Sequence, residues 1–409
     1  MKKNHLLTAS ITISIFFSLA SCSKNGDKNF TPATQSKVST EEIVAEKGAN
    51  PHEETIKQNL QSLNTGLREG DGEHYLYTES NAAANNEILV YKIKRDGSLY
   101  FAGSTMSGCS GTGKPLGSQG PLELDKNNKW LFSVNAGSNS VLSFKVHDDG
   151  SLTLAHTEGS KGKTPVSLSV HDNMLYVLNR GSDNIHGFWI GAGGTLTDIE
   201  GSTQSLSGTA VDAPQISFMP DGDWIAVTEK ATNIITTFKV KQDRSISKGI
   251  FTPSISKTPF GFEFSRNRFM IVSNAVGGRA AAGSATSYLT GNNGVPENIN
   301  GAVPNFESAP CWVAVTKYGR FAYITNTASN NISTYYVDNQ SALYLVQKEA
   351  AKTDGGPLDI VVAENNYFVY ELNSKSNTIG GYHRKLMGKL EFISSAANLP
   401  APATGLAAY

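Results

Sequence analysis

Gly120-Pro121-Leu122-Glu123-Leu124 opens a beat that decides the fold: a small residue, a proline, then a short apolar strand. It returns at Thr164-Pro165, Ala213-Pro214, Thr258-Pro259, Ala309-Pro310 and Gly356-Pro357, and ends at Ala401-Pro402. The prolines are spaced 44, 49, 45, 51, 47 and 45 residues apart. A period in this range marks an array whose units bury their apolar faces against one another. Each of the first six beats is followed by three further strands, whereas the seventh meets the end of the chain at Tyr409. The three missing strands stand at the other end, in HYLYTES, EILVYKI and SLYFAG within residues 74–103. The sequence therefore predicts an all-β, seven-bladed β-propeller with four-stranded blades. Its ring is closed by the C-terminal strand 402–409 joining strands 74–103.

Within each repeat the proline strand leads through a tight turn, such as Pro220-Asp221-Gly222, to a second strand, such as WLFSVN (130–135) or WIAVTE (224–229). A polar loop and a third strand ending in an aromatic follow, at Phe144, Phe188, Phe238, Tyr335 and Tyr382. Asp-Gly hairpins such as Asp149-Gly150 then lead to a fourth strand. β-branched and aromatic runs bounded by Gly, Asn, Asp and Pro are strand and hairpin signals. Near-continuous apolar runs suit strands covered on both faces.

A net charge of −1 with 17% charged residues leaves no basic field for nucleic acid. The eight histidines show no metal spacing, and the glycine-rich run Gly111–Gly120 lacks a surrounding βαβ unit. No metal and no cofactor are expected, and the run reads as a tight turn near the channel or a lid. Residues 1–22 read as a targeting segment: Lys2 and Lys3, then an apolar stretch from Leu6 to Ala20 too short to span a bilayer comfortably. Leu19-Ala20-Ser21-Cys22 resembles the lipobox of bacterial lipoproteins, which implies lipidation at Cys22 and anchoring to the envelope, the outer membrane favoured. Residues 23–73 are expected to be a polar tether with one short helix between Pro51 and Arg68, and 74–409 the propeller, as a monomer.

Strand direction puts the long segments 104–120, 200–213, 275–285 and 297–309 on one face, opposite a face of tight turns. A site is expected at the channel mouth on the long-loop side. Glu229 and Lys230 stand there where other blades carry Asn135, Asn179, Asn274, Asn326 and Asn373. Glu229 reads either as a general base or ligand contact, or as a loop-stapling carboxylate. Trp312 offers an aromatic platform or packs against the next blade. Cys109 and Cys311 lie on the same face, as free thiols or as a bridge.

Four stretches, VNAGSNSVLSF (134–144), YVLNRGSDNIHGF (176–188), PDGDWIAVTEKATNIITTF (220–238) and GRFAYITNTASNNISTY (319–335), resemble the blades of the seven-bladed lactonase family. That family includes 6-phosphogluconolactonase-like and carboxymuconate-cyclase-like propellers. The resemblance implies a channel-mouth site where cations hold a substrate carboxylate or phosphate. Carried onto this chain, it points to Glu229 as the catalytic carboxylate, with Arg180, Lys230, Asn274, Arg279 and Trp312 around the substrate. The chain departs from the pattern at Ala275, where relatives carry Arg, and no His starts a proline strand; Gln215 is the nearest analogue. Two functions follow as expectations: binding of a small anionic or sugar-type ligand, a glycan or an envelope protein at the mouth, or hydrolysis of a small sugar or carboxylated lactone.

Overall fold

The computed structural model describes residues 73–266 and 268–409. The targeting segment, Cys22 and the expected helix within 51–68 lie outside the described residues. Seven antiparallel sheets form the blades. Blade 1 has the order Thr404–Ala408, His74–Glu79, Glu87–Ile93, Leu99–Met106, so the last strand of the chain lies innermost beside the first, and the ring closes as the repeat predicts. Tyr409 continues the latch, exchanging backbone hydrogen bonds with Tyr75 and stacking near Tyr77. Two expectations about loops need correction. Much of 297–309 is the outer strand Pro296–Pro304, and 200–213 contains Gln204–Ser205, which with Leu196–Asp198 makes a broken outer strand in blade 3.

The beat itself has a backbone cause. Gly120, Thr164, Thr258, Ala309 and Gly356, each directly before its proline, all have φ between 52° and 72°. A left-handed residue there turns the chain from the upper loops down into the innermost strand, and bulky side chains resist it. In blade 4 the left-handed residue is Asp212, one position earlier, with φ 52°. Aromatic side chains then fill the space between blades: Trp312, Tyr77, Tyr176, Tyr323, Tyr370, Phe132, Phe188 and Phe238 are fully buried. Each such side chain contributes roughly 1.5–3 kcal/mol by burial.

Radial sheets leave one problem, since every innermost strand turns a free edge toward the channel. Polar side chains of the preceding blade meet it. The Ile216 and Phe218 amides donate to Ser167 and Ser169 at 3.1 and 3.0 Å. Gln215 forms a two-way amide pair with Phe262, at 2.8 and 2.7 Å, in the manner of a backbone bridge. Glu123 accepts from the Val170 amide at 3.3 Å, and Asp359 from the Leu406 amide at 3.0 Å.

Asp359, like Glu79 and Glu371, is buried, whereas Glu123 and Glu263 are half-buried. Burial pushes Glu123 up to about 8, helped by the charge of Glu263 and opposed by the Val170 hydrogen bond. Burial likewise raises Glu263 to about 7 and Asp359 to about 8, and between the blades Glu79 and Glu371 to about 8. A carboxyl whose folded value lies above its unfolded value holds a proton in the native state that the unfolded chain has lost. Stability is then greatest below the unfolded value and falls as pH rises toward the folded one. Urea midpoints are therefore expected to drop steadily from about pH 5 to about pH 8.5. Glu123→Gln, a permanent mimic of the neutral form, should flatten part of that slope. A rise in stability across the same range would refute the account.

Candidate functional site

The second strand of every blade climbs to the upper face, and the residue just past its end stands beside the mouth. In chain order these residues are Ser80, Ala136, Arg180, Lys230, Ala275, Thr327 and Ser374. Five blades place a small neutral side chain there, and the adjacent blades 3 and 4 place a cation. Their backbones are pinned alike: the Arg180 amide donates to Thr164 O at 3.0 Å and the Lys230 amide to Asp212 O at 3.4 Å.

Both cations turn to one carboxylate. Lys230 Nζ lies 3.1 Å from Asp212 Oδ2, and Arg180 Nη1 lies 3.9 Å from Asp212 Oδ1. Lys230 is only 9% exposed, and its ammonium sits 4.9 Å from the centre of the Phe260 ring, an attraction of about 1–2 kcal/mol at a partly desolvated site. Burial also pulls the Arg180 guanidinium below its ordinary value, with Asp212 opposing, although arginine stays charged throughout the working pH range. Phe260 in turn meets Trp312, ring centres 4.9 Å apart. Trp312 is 1% exposed, so it packs rather than offering an open platform.

A strap closes the contacts into a ring. The glycine-rich run does cross the mouth: Gly117 O accepts from Arg180 at 3.4 Å, Ser118 O accepts from the Trp312 indole at 2.8 Å, and Ser118 Oγ donates to Val166 O at 2.7 Å. Gln119 reaches farthest. Its amide pairs in both directions with Val313, at 2.6 and 3.1 Å, just as Gln215 pairs with Phe262 one blade earlier. It can do so because blade 5 has Gly261 at that level. A methyl group on Gly261 would collide with Gln119 Oε1 and Cys311 O.

Glu229 is not in this ring. It is wholly buried, and its oxygens accept from the Ser207 amide, the Ser207, Thr232 and Thr236 hydroxyls. This is the geometry of a staple, holding the loop that carries Asp212 against blade 4. Nor does Glu229 stand alone among asparagines, as the blade comparison suggested. Glu79 ends the second strand of blade 1 at the same register, accepting from Asn86 at 2.6 Å. Asn274 is also buried in its blade, donating to Ser284 and Thr286 at 3.2 and 2.8 Å. Arg279 is exposed on its loop beyond the short turn Val276–Gly278, outside the ring of contacts. Cys109 and Cys311 are not joined by a disulfide. Sequence reasoning thus found Arg180 and Lys230 but missed Asp212, Phe260 and the Gln119–Gly261 fit. A lone glycine inside an innermost strand was the one signal available for the last.

Three substitutions separate these roles. Gln119→Ala leaves the buried Val313 amide and carbonyl without partners and is expected to cost roughly 1–3 kcal/mol in urea denaturation. Gly261→Ala should cost at least as much, because it expels the same side chain. Neutral stability for both would mean the strap is not held as described. Glu229→Gln turns an acceptor-only group into one that presents an amide to four donors, and a similar loss of roughly 1–3 kcal/mol is expected. Unchanged melting with a specific loss of lactone turnover would instead favour a base at this position.

With this geometry established, the comparisons with known proteins fall into place. The family model described as lactonase, 7-bladed beta-propeller, matches residues 74–213 and 293–405, more than half of the chain. The 6-phosphogluconolactonase of Bacillus subtilis is 23% identical over 313 residues, covering 70% of this chain and 86% of that protein. The periplasmic gluconolactonase of Pseudomonas aeruginosa shares the fold with a TM-score of 0.65 at 18% identity, covering 82% of this chain and 98% of that one. A protein from Lactobacillus plantarum gives a TM-score of 0.68 at 17% identity, covering 82% and 99%. The chain belongs to the seven-bladed β-propeller lactonase family.

Proposed function

We propose that this protein is an envelope-anchored propeller that binds a small anionic ligand of the sugar-acid class at its upper mouth. One observation carries the reading: two neighbouring blades replace small neutral residues with Arg180 and Lys230, and both cations converge on the same half-exposed point. Cations partly withdrawn from water attract an oxyanion more strongly than surface cations do. The Gly117 carbonyl beside Arg180 adds an acceptor suited to a sugar hydroxyl. The Cys22 lipobox supports placement on the envelope, the outer membrane favoured.

Lactone hydrolysis is the second reading. It is favoured by the names of the Bacillus and Pseudomonas relatives, a 6-phosphogluconolactonase and a gluconolactonase. In its sequence-based form Glu229 directs the water. The commitment of Glu229 to four donors favours binding over base catalysis at that residue.

Calorimetric titration of the purified full chain in detergent with 6-phosphogluconate and gluconate tests the binding reading. Arg180→Gln and Lys230→Gln should each weaken binding at least about fivefold, a loss of roughly 1 kcal/mol. Equal affinity in wild type and both variants would move the site elsewhere. Turnover of sugar lactones by the same preparations, lost in Glu229→Gln at unchanged stability, would establish the second reading.

A further inference from the structure

We infer that Asp212 is a built-in counter-anion of the mouth: its carboxylate occupies the place of the ligand's acid group, and an entering oxyanion must displace it. The inference rests on the binding reading above and names the residue that sets the threshold for entry.

The backbone of Asp212 is held from three directions. Its carbonyl accepts the Lys230 amide, the preceding Val211 carbonyl accepts the Ala231 amide at 3.0 Å, and Asp183 accepts the amides of Ala210 and Val211 at 2.7 and 3.2 Å. The side chain is under no such constraint and is 51% exposed. Its two carboxylate contacts are the ion pairs already described, and the one to Arg180 is long at 3.9 Å. Rotation about the Asp212 side-chain torsions therefore releases both cations without moving the loop. The opposite arrangement holds for the cations. Lys230 is 8% exposed at its side chain, lies over Phe260, and cannot follow Asp212 into solvent.

The charges explain why a carboxylate belongs there. An empty mouth without Asp212 would leave two partly desolvated cations facing each other, an arrangement that costs stability. Asp212 neutralises them until a ligand arrives. The same neutralisation sets a threshold for entry. A singly charged carboxylate merely exchanges with Asp212, whereas a phosphate near two negative charges brings more attraction than it displaces. The threshold is common to all anions, and the attraction of the two cations lets the more highly charged one clear it more easily.

Asp212→Asn removes the charge and keeps the loop, because asparagine accepts the left-handed φ of 52° as readily as aspartate. The experiment titrates inorganic phosphate and gluconate separately into the full chain in detergent at low ionic strength, where such charges are least screened. Asp212→Asn is expected to bind both roughly three- to tenfold tighter than wild type, because the cost of displacing the carboxylate is common to both. Asp354→Asn, which removes a carboxylate from blade 7, should bind as wild type does. The double variant Asp212→Asn with Arg180→Gln should lose the gain. If wild type binds and Asp212→Asn binds equally or more weakly, the counter-anion is overturned while the binding reading stands. An equal gain in Asp354→Asn also overturns it, since a general field would then suffice. No binding by either wild type or Asp212→Asn overturns both.

Discussion

The free inner edge of each sheet is the constraint on which the rest of this propeller depends. Blade faces are covered by their neighbours, but the innermost strands turn amides and carbonyls toward the channel with no further strand to bond them. A buried backbone group left without a partner costs about as much as a lost hydrogen bond. At four junctions one blade lends a polar side chain to the next: Ser167, Ser169 and Gln215 lend neutral groups, and Glu123 and Asp359 lend carboxyls. Carboxyls used in this way are crowded away from water and hold their protons to higher pH. The raised values of Glu123 and Asp359 are thus a consequence of how the edge is satisfied.

The same constraint explains the strap. Blade 5 carries Gly261 where it has no side chain to lend, so the edge of blade 6 is served by Gln119 from across the channel. That one substitution of donor draws the Gly117–Gln119 segment over the mouth. Ser118 then meets Trp312, and Gly117 meets Arg180. A local need in the scaffold has become the roof of the candidate site. Glu229 works in the same spirit at the next radius, gathering hydroxyls of its own blade and the Ser207 amide so that the Asp212 loop stays where Lys230 can reach it.

The ring was legible because its signal is local and repeated: a left-handed small residue and a proline recur wherever the chain turns down into the channel. Ring closure was legible too, since strands 74–103 complete the blade that Thr404–Ala408 begins. Lys230 was singled out because the Glu229-Lys230 pair breaks the repeat, and Arg180 because the family resemblance calls for a cation at the mouth. The partners of these residues were not legible. Asp212 meets Lys230 through a loop whose path depends on Asp183 and Glu229, and Gln119 meets Val313 across 194 positions of sequence. Glu79 was overlooked for a different reason. Its blade is assembled from both chain ends, so a comparison run along consecutive repeats passes over it, and Glu229 then looks more singular than it is.

This division of labour also bears on how such a ring can change its ligand. Innermost strands are committed to their neighbours' edges, and second-strand ends hold the blade loops through Asn or Glu. Change at either place is paid in stability. The position one residue farther on has its amide fixed by the upper turn, as Ala275, Thr327 and Ser374 show with donations to Thr258, Ala309 and Gly356. Its side chain varies between blades: Ser80, Thr327 and Ser374 bond locally to Asn86, Pro357 O and Gly356 O, Ala136 and Ala275 have no polar side chain, and Arg180 and Lys230 reach Asp212. Seven such positions surround the mouth, and two adjacent ones carry cations. A pair on neighbouring blades can grip one oxyanion, whereas cations on opposite sides of the channel would be too far apart to share it. The adjacency of Arg180 and Lys230, with Asp212 between them, is therefore the feature of this mouth that the fold itself does not require.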